Sequence, residues 1–208
     1  MLGPVIVILW SNYPKFGDVF LSHLYLTCPY AVPYYPVRQK DQSDIEYLVT
    51  CGYQLDKEGN LESDETFHNR MYPLIELYSA IIQCNLTEAH PCDINVAWRW
   101  LALMLNQEPR PGITALTLDA FLSVASQKLY VVYAKQFTKL IKFINSKYLK
   151  SIESITELTE RQTLMKFKSL MNSIVKKLNS RDPSNALAPS GLVPNYFFAK
   201  SFIFMSSR

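Results

Sequence analysis

Nine of the ten residues from Val96 to Leu105 are apolar, and the tenth is Arg99. A surface helix carries an apolar stripe, whereas a helix that is apolar nearly all round is buried. Ten residues are too few to cross a bilayer, which takes about 20. The run therefore predicts the central helix of a multi-helix core, without membrane insertion. We expect Arg99 to pair with an acid on a neighbouring helix or to reach solvent near the helix start; the alternative is a ligand-binding arginine.

The composition indicates one ordinary globular domain. The chain has 208 residues, of which 49% are hydrophobic and 19% charged, enough for one sizeable core. Its four cysteines form no CxxC pair, a usage typical of reduced, intracellular thiols. Cys84, His90 and Cys92 lie close in sequence, but no fourth ligand stands at a usable spacing, so no metal site is predicted.

Helical periodicity continues through most of the chain, without strand alternation or a βαβ rhythm. The fold class predicted is all-α, an α-solenoid or irregular helical bundle. We expect a helical domain over 1–180 and a tail over 181–208 that carries two aromatic clusters. An apolar segment follows the first four residues directly, so we expect this domain to lack its first helices. The predicted helices run from about Pro14 to Thr27, Asp44 to Thr50, Thr66 to Ile82, Asp93 to Leu105, Thr114 or Thr117 to Val124, Gln127 to Ser151, and Thr159 to Asn179.

No pattern of residues predicts catalysis. The three histidines, His23, His68 and His90, are isolated from one another. The chain contains no GxSxG or HExxH sequence and no glycine-rich loop that would cradle a phosphate. The expectation is a protein that is not an enzyme.

Charge is distributed unevenly along the chain. Six lysines and no acid lie between Gln127 and Lys150, whereas residues 41–65 hold eight acids and one lysine. Lys135, Lys139 and Lys142 share one helix face. This basic face is either an ordinary solvated surface or a surface for an acidic partner, nucleic acid or polyphosphate. Direct RNA binding is the weaker variant, because the aromatic residues lie mainly on the core-facing side.

Short peptides in three regions resemble the C-terminal helical domain of the nucleoporin Gle-one family, the mRNA-export mediators. Together they cover about residues 5–180. The peptides that carry the resemblance are Leu9-Trp10-Ser11-Asn12-Tyr13-Pro14, Phe16-Gly17-Asp18, Cys28-Pro29-Tyr30-Ala31-Val32-Pro33, Gly52-Tyr53-Gln54, Arg70-Met71, Leu77-Tyr78, Ala80-Ile81-Ile82-Gln83, His90-Pro91, Trp98-Arg99-Trp100-Leu101-Ala102, Leu105-Asn106 and Glu108-Pro109.

The resemblance implies a HEAT-like helical repeat, similar to the middle domain of translation initiation scaffolds. It implies a place at the cytoplasmic face of the nuclear pore complex, in the cytoplasm and in the nucleus. Members of that family use inositol hexakisphosphate as a tether and stimulate a DEAD-box RNA-dependent ATPase that remodels mRNA–protein particles. Their other partners are nucleoporins and translation initiation and termination factors.

One departure from the family pattern bears on the ligand. The family commonly has two adjacent lysines just before Cys28-Pro29, where this chain has Leu26 and Thr27. Each charge-assisted contact to a phosphate contributes about 1.5–3 kcal/mol. We therefore expect inositol hexakisphosphate to bind weakly or not at all. His23, one turn earlier, is the basic residue that remains there, as a ligand-binding residue or an ordinary surface histidine.

The resemblance leaves three functional hypotheses. The first is a helicase-activating export factor that contacts its DEAD-box partner through the polar face of the last helix, around Arg161 and Lys168. The second is a helical scaffold that binds translation factors or RNA without stimulating an ATPase. The third is a truncated gene product with no independent role.

Overall fold

The computed structural model describes residues 2–84 and 92–189, and the fold is given for these residues. Helices dominate the described chain, with short 3₁₀ turns at Pro29–Ala31 and Leu158–Glu160. The α-helices are α1 (Gly3–Asn12), α2 (Pro14–Thr27), α3 (Asp44–Thr50), α4 (Asp64–Ile82), α5 (Ile94–Leu105), α6 (Ile113–Phe143), α7 (Leu149–Ile155), α8 (Arg161–Leu178) and α9 (Pro183–Ala186). This confirms the predicted all-α fold class.

The helix boundaries follow from local chemistry. Pro14 stands at the first turn of α2, where its missing N–H would be unsatisfied in any case. Ser43 caps α3 in a capping box with Glu46, and Ser63 caps α4. Pro73 lies inside α4, which continues through it to Ile82.

The central helix of the core is the first half of α6. The turns from Ile113 to Ser126 are buried on nearly every side, and α4 and α8 pack against them. Phe121 lies beneath the Trp100 ring of α5, with the ring centroids 4.1 Å apart. The core is therefore organised around α6, to which α5 contributes one side.

The prediction that Val96–Leu105 forms the central, all-round buried helix is wrong. α5 buries one face, which includes Trp100 and Leu101, while Trp98 is only half-buried. Arg99 is exposed and forms no ion pair with any described residue. The predicted guanidinium–carboxylate pair is therefore absent from the described structure, and the other expectation, that Arg99 reaches solvent, is confirmed. The apolar residues between the buried positions lie at the rim of the core, where no helix covers them completely.

The polar residues of the central helix are the reason that its burial was not predicted from the sequence. The hydroxyls of Thr117 and Ser126 donate to the carbonyl oxygens one turn earlier on the same helix. The hydroxyls of Tyr35 and Thr114 are hydrogen-bonded at 2.5 Å. Because each of these groups has a partner, its burial avoids the cost of an unsatisfied polar group.

The helical pattern predicted from Gln127 to Ser151 is confirmed, but the helix begins earlier and is irregular at two places. α6 bends at Tyr133, whose φ of −115° and ψ of 16° are non-helical. A π-helical turn over Ile144–Tyr148 then joins α6 to α7. Such a turn adds a residue and rotates the following helix face, which keeps Ile144 and Leu149 buried.

The chain remains packed beyond residue 180. α9 contacts α6 and α8, and Leu187 is only 3% exposed. The packed domain therefore extends at least to Leu187, further than the predicted boundary between 1–180 and 181–208. The two aromatic clusters predicted in the tail lie outside the described residues.

Two further observations concern sites and membranes. In the described parts of the chain, no helix combines the length and the apolar character that a bilayer crossing requires. Within the same residues, no group of three or more His, Cys, Asp or Glu side chains has a metal-holding arrangement. The four cysteines, all of which are described, form no disulfide. His90, named above with Cys84 and Cys92, lies outside the described residues.

Candidate partner-binding surfaces

The C-terminal end of α2 carries the residues at which this chain departs from the family pattern. Leu26 projects into solvent with 81% of its surface exposed. The Thr27 hydroxyl donates to the carbonyl oxygen of His23 at 2.9 Å, one turn earlier on the same helix. His23 is exposed. This surface therefore presents one apolar side chain, one histidine and a hydroxyl already engaged by its own helix.

Arg70 is the arginine that lies nearest to this end of α2, and its charge is already matched. Its guanidinium donates to Glu62, to the carbonyl oxygen of Gly52 at 2.6 Å and to the carbonyl oxygen of Thr27 at 3.5 Å. The arginine thus ties α4 to α2 and to the acidic segment. Its role here is architectural.

These residues do not fit a ligand with many phosphates. A helix C-terminus carries negative partial charge, so it repels anions unless cations compensate. Leu26 and Thr27 supply no cation, and the charge of Arg70 is taken up by Glu62. His23 alone is a poor substitute for paired lysines. Weak or absent binding of inositol hexakisphosphate stays a prediction for this chain.

The two residues predicted for partner contact on α8 differ in their surroundings. The ammonium group of Lys168 lies 2.8 Å from a carboxylate oxygen of Glu153, so this lysine joins α8 to α7. Arg161 is exposed at the start of α8 and forms no ion pair with a described residue. Of the two residues predicted for this contact, Arg161 is therefore the one whose charge is not paired within the described structure.

Two apolar residues beside Arg161 were missed by the sequence analysis. Leu158 is 76% exposed and Met165 is 64% exposed. Met165 stands four residues after Arg161 on α8, a spacing that places these two on one side of the helix, and Leu158 lies in the 3₁₀ turn directly before α8. The i, i+3, i+7 pattern was visible in the sequence, but an apolar residue at helical spacing ordinarily indicates the core.

Lys135, Lys139 and Lys142 are all exposed on the second half of α6. The structure thus brings these three lysines onto one face, as their spacing predicts. The basic face is separate from the α2 end, because it lies on a different helix beyond the bend at Tyr133.

A polar cleft between α4, α6 and α8 was also missed. Its lining includes Asp119, Tyr72, His68 and Glu160, and its volume is about 430 Å³. The Tyr72 hydroxyl donates to Asp119 at 2.9 Å. Burial raises the pKa of Asp119, while the Tyr72 hydrogen bond and the charge of Lys166 act in the opposite direction. Asp119 is the lone acid in the apolar run of the central helix, and this isolated charge was the feature of the sequence from which the cleft could have been predicted.

The thiol closest to the altered position is unreactive. Cys28 follows α2 directly and is fully buried. Burial raises the pKa of this thiol to about 11, although hydrogen bonds with Ala31 and Tyr30 partly oppose the change. The thiol therefore stays protonated at neutral pH, and a protonated thiol is a poor nucleophile.

Sequence comparison relates the chain to one family. The family described as GLE1-like protein matches residues 1–145. The chain is 36% identical over 187 residues to the mRNA export factor GLE1 of Rattus norvegicus, covering 88% of the chain and 27% of that protein. It is 41% identical over 152 residues to the mRNA export factor GLE1 of Danio rerio, covering 71% of the chain and 22% of that protein. The chain thus spans about a quarter of the length of these curated relatives.

Solved structures share the fold. The S. cerevisiae Gle1 H337R chain, in complex with IP6 and the Dbp5 L327V C-terminal domain, superposes with a TM-score of 0.74 at 18% identity, covering 85% of this chain and 60% of that one. The corresponding Gle1 complex without H337R has a TM-score of 0.69 at 17% identity, covering 90% of this chain and 61% of that one. At these identities the likeness establishes the fold.

Proposed function

The chain belongs to the GLE1-like protein family, and we propose that it acts in mRNA export as a non-enzymatic helical domain that docks and stimulates a DEAD-box RNA-dependent ATPase. The observation that carries the proposal is the shared fold with Gle1 in complex with the Dbp5 C-terminal domain. The proposed place of action is the cytoplasmic face of the nuclear pore complex, where the ATPase remodels mRNA–protein particles. Nucleoporins and translation initiation and termination factors are further proposed partners.

We place the ATPase contact on the surface formed by Leu158, Arg161 and Met165. Partner-binding hot spots combine arginine with large apolar side chains that become fully desolvated. The exposed side chains of Leu158 and Met165 supply the apolar area. Arg161, between them in sequence, supplies a positive charge that forms no ion pair with a described residue. Lys168, the other residue predicted for this contact, pairs with Glu153, so a partner that binds Lys168 would have to replace this exposed pair.

In this proposal, inositol hexakisphosphate contributes little. IP6 is present in the solved Gle1 complexes. In this chain the end of α2 offers His23 but no lysine at positions 26 and 27. The protein surfaces must then supply most of the binding free energy by direct contact.

The test is an RNA-stimulated ATPase assay with Dbp5, uridine RNA and increasing concentrations of this chain. We expect stimulation that saturates, and it should not require inositol hexakisphosphate. Replacement Arg161→Glu should lower the affinity of the chain at least about tenfold. The matched control is Lys176→Glu, the same change of charge at an exposed position about 22 Å further along α8.

Two outcomes would contradict the proposal. If saturating chain binds the ATPase without stimulating it, the chain is a scaffold and the activation hypothesis is wrong. If Arg161→Glu and Lys176→Glu weaken binding equally, the contact lies elsewhere and only bulk charge was measured.

A further inference from the structure

The second half of α6 carries a surface that the proposed ATPase contact does not use. We call it the lysine face; it consists of Lys135, Lys139, Lys142 and Phe143, together with Val131 and Val132, which lie just before the bend at Tyr133. The three lysines follow one another at intervals of four and three residues, so they align along about 10 Å of one side of the helix. Every member of the face is exposed in the described structure.

The positive charges of this face are not compensated within the described chain. None of its three lysines forms an ion pair there; the pairs present are Arg38–Asp44, Arg70–Glu62 and Lys168–Glu153. Like charges at a spacing of four residues repel one another on a helix. An acidic ligand would relieve this repulsion.

Two acids of the segment 41–65 have partners within the described structure. Glu62 binds Arg70, and Asp64 accepts a hydrogen bond of 2.8 Å from Tyr53. These contacts hold this part of the acidic segment against α4. A ligand that carries carboxylates would supply the charge that complements the three lysines.

The apolar members of the lysine face favour a protein over a nucleic acid. Val131 is 57% exposed, Val132 is 47% exposed and Phe143 is 41% exposed. Phe143 follows the lysines at the end of α6, and the two valines precede them on the other side of the bend at Tyr133. Recognition of single-stranded RNA relies on aromatic side chains that stack on bases, and two of the three apolar residues are valines. An acidic helix with an apolar stripe matches both the charges and the apolar area.

We propose that the lysine face binds an acidic amphipathic protein segment. Carboxylates of the segment pair with Lys135, Lys139 and Lys142, and its apolar side chains cover Val131, Val132 and Phe143. This partner is distinct from the DEAD-box ATPase, whose proposed contact lies on α8.

The test uses a labelled 20-residue amphipathic helical peptide with glutamates on its polar face and leucines on the other. Its matched control has glutamine in place of every glutamate, and a uridine 20-mer serves as the RNA probe. We expect fluorescence anisotropy at about 150 mM salt to show binding of the acidic peptide at least about tenfold tighter than of the control peptide or the RNA.

Two sets of variants locate the binding site. The first variant replaces all three lysines by glutamate: Lys135→Glu, Lys139→Glu and Lys142→Glu. The second replaces all three apolar residues by serine: Val131→Ser, Val132→Ser and Phe143→Ser. Each triple variant should bind the acidic peptide at least about tenfold more weakly than the unchanged chain. The matched charge control replaces Lys15, Lys40 and Lys176 by glutamate, all exposed, and should change affinity less than about twofold. Thermal melts confirm that each variant is folded.

Each remaining outcome overturns the proposal. Equal loss of affinity in the charge control would mean that only net charge is sensed. Tighter binding of the RNA than of the acidic peptide would make the face a nucleic-acid surface. Concentration-dependent self-association that Lys139→Glu abolishes would make it an interface between copies of this chain.

Discussion

The ammonium group of Lys168 lies 2.8 Å from a carboxylate oxygen of Glu153, and this pair joins α8 to α7. The Lys168 side chain is 34% exposed and that of Glu153 is 39% exposed, so water and salt screen their attraction. Pairs of this kind contribute about 0–1 kcal/mol to stability. The replacement Lys168→Met should therefore lower the free energy of unfolding by less than about 1 kcal/mol.

Chemical denaturation at low and high salt measures this effect. The loss should shrink as salt increases, because the interaction is screened. A loss above about 2 kcal/mol would show that the pair is part of a larger buried network.

Gly17 of α2 lies directly against the Trp10 side chain of α1. A β-carbon placed there would lie 2.0 Å from the indole of Trp10, which is itself buried. Alanine favours a helix by about 1 kcal/mol relative to glycine, but overpacking costs about 1–3 kcal/mol and here displaces an entire indole. Gly17→Ala should thus lower the free energy of unfolding.

Urea denaturation of the Gly17→Ala variant tests this expectation. Asp18→Ala, at the exposed neighbouring position of the same helix, is the control and should change stability by less than about 0.5 kcal/mol. Equal or greater stability of Gly17→Ala would mean that Trp10 moves aside freely.

Asp119 makes stability depend on pH in a direction that follows from its burial. Desolvation raises the pKa of this carboxyl, against the hydrogen bond from Tyr72 and the charge of Lys166. The folded protein therefore holds the proton to higher pH than the unfolded chain. The contribution of this group to the free energy of unfolding is full at low pH and is lost as the pH rises from the ordinary aspartate pKa through the raised one.

Asp119→Asn removes this titration and keeps an oxygen that accepts from Tyr72. We expect the free energy of unfolding of the variant, relative to the unchanged chain, to increase from about pH 4 to about pH 7. Glu65→Gln, which removes an exposed carboxylate of the same cleft, is the matched charge control. The opposite slope for Asp119→Asn would contradict the raised pKa.

The residues at the C-terminal end of α2 should control the affinity of the chain for inositol hexakisphosphate. Leu26→Lys with Thr27→Lys should increase affinity at least about 100-fold, since two charge-assisted contacts contribute about 3 kcal/mol or more together. Calorimetry at physiological salt measures the change. Leu26→Ser with Thr27→Ser is the uncharged control. Submicromolar binding to the unchanged chain would refute the expectation of weak binding.

The buried contact between Trp100 and Ala31 shows how the chain before α3 is held on the core. The indole Nε1 donates to the Ala31 carbonyl oxygen at 3.0 Å, and the ring stacks on Phe121. Trp100→Ala should lower the free energy of unfolding by about 3–5 kcal/mol, measured by denaturation. Trp98→Ala is the matched control; this indole is half-buried, so its loss should be smaller.

Local patterns in the sequence determined the class of fold and most of the helices. Apolar residues at helical spacing, with prolines and capping serines between them, act within one or two turns, so they predict α2, α3 and α8 without knowledge of the rest. The family peptides are likewise runs of neighbouring residues. The same spacing placed Lys135, Lys139 and Lys142 on one face.

Only the tertiary structure decided which helix is central and which charges are engaged. The apolar run around Arg99 lies at the rim, whereas the segment from Ile113 to Ser126 is buried despite its hydroxyls. Burial depends on what packs against a helix, and hydrogen bonds such as that between Tyr35 and Thr114 join residues far apart in sequence. For the same reason, the pairing of Lys168 with Glu153 could not be predicted from spacing on one helix.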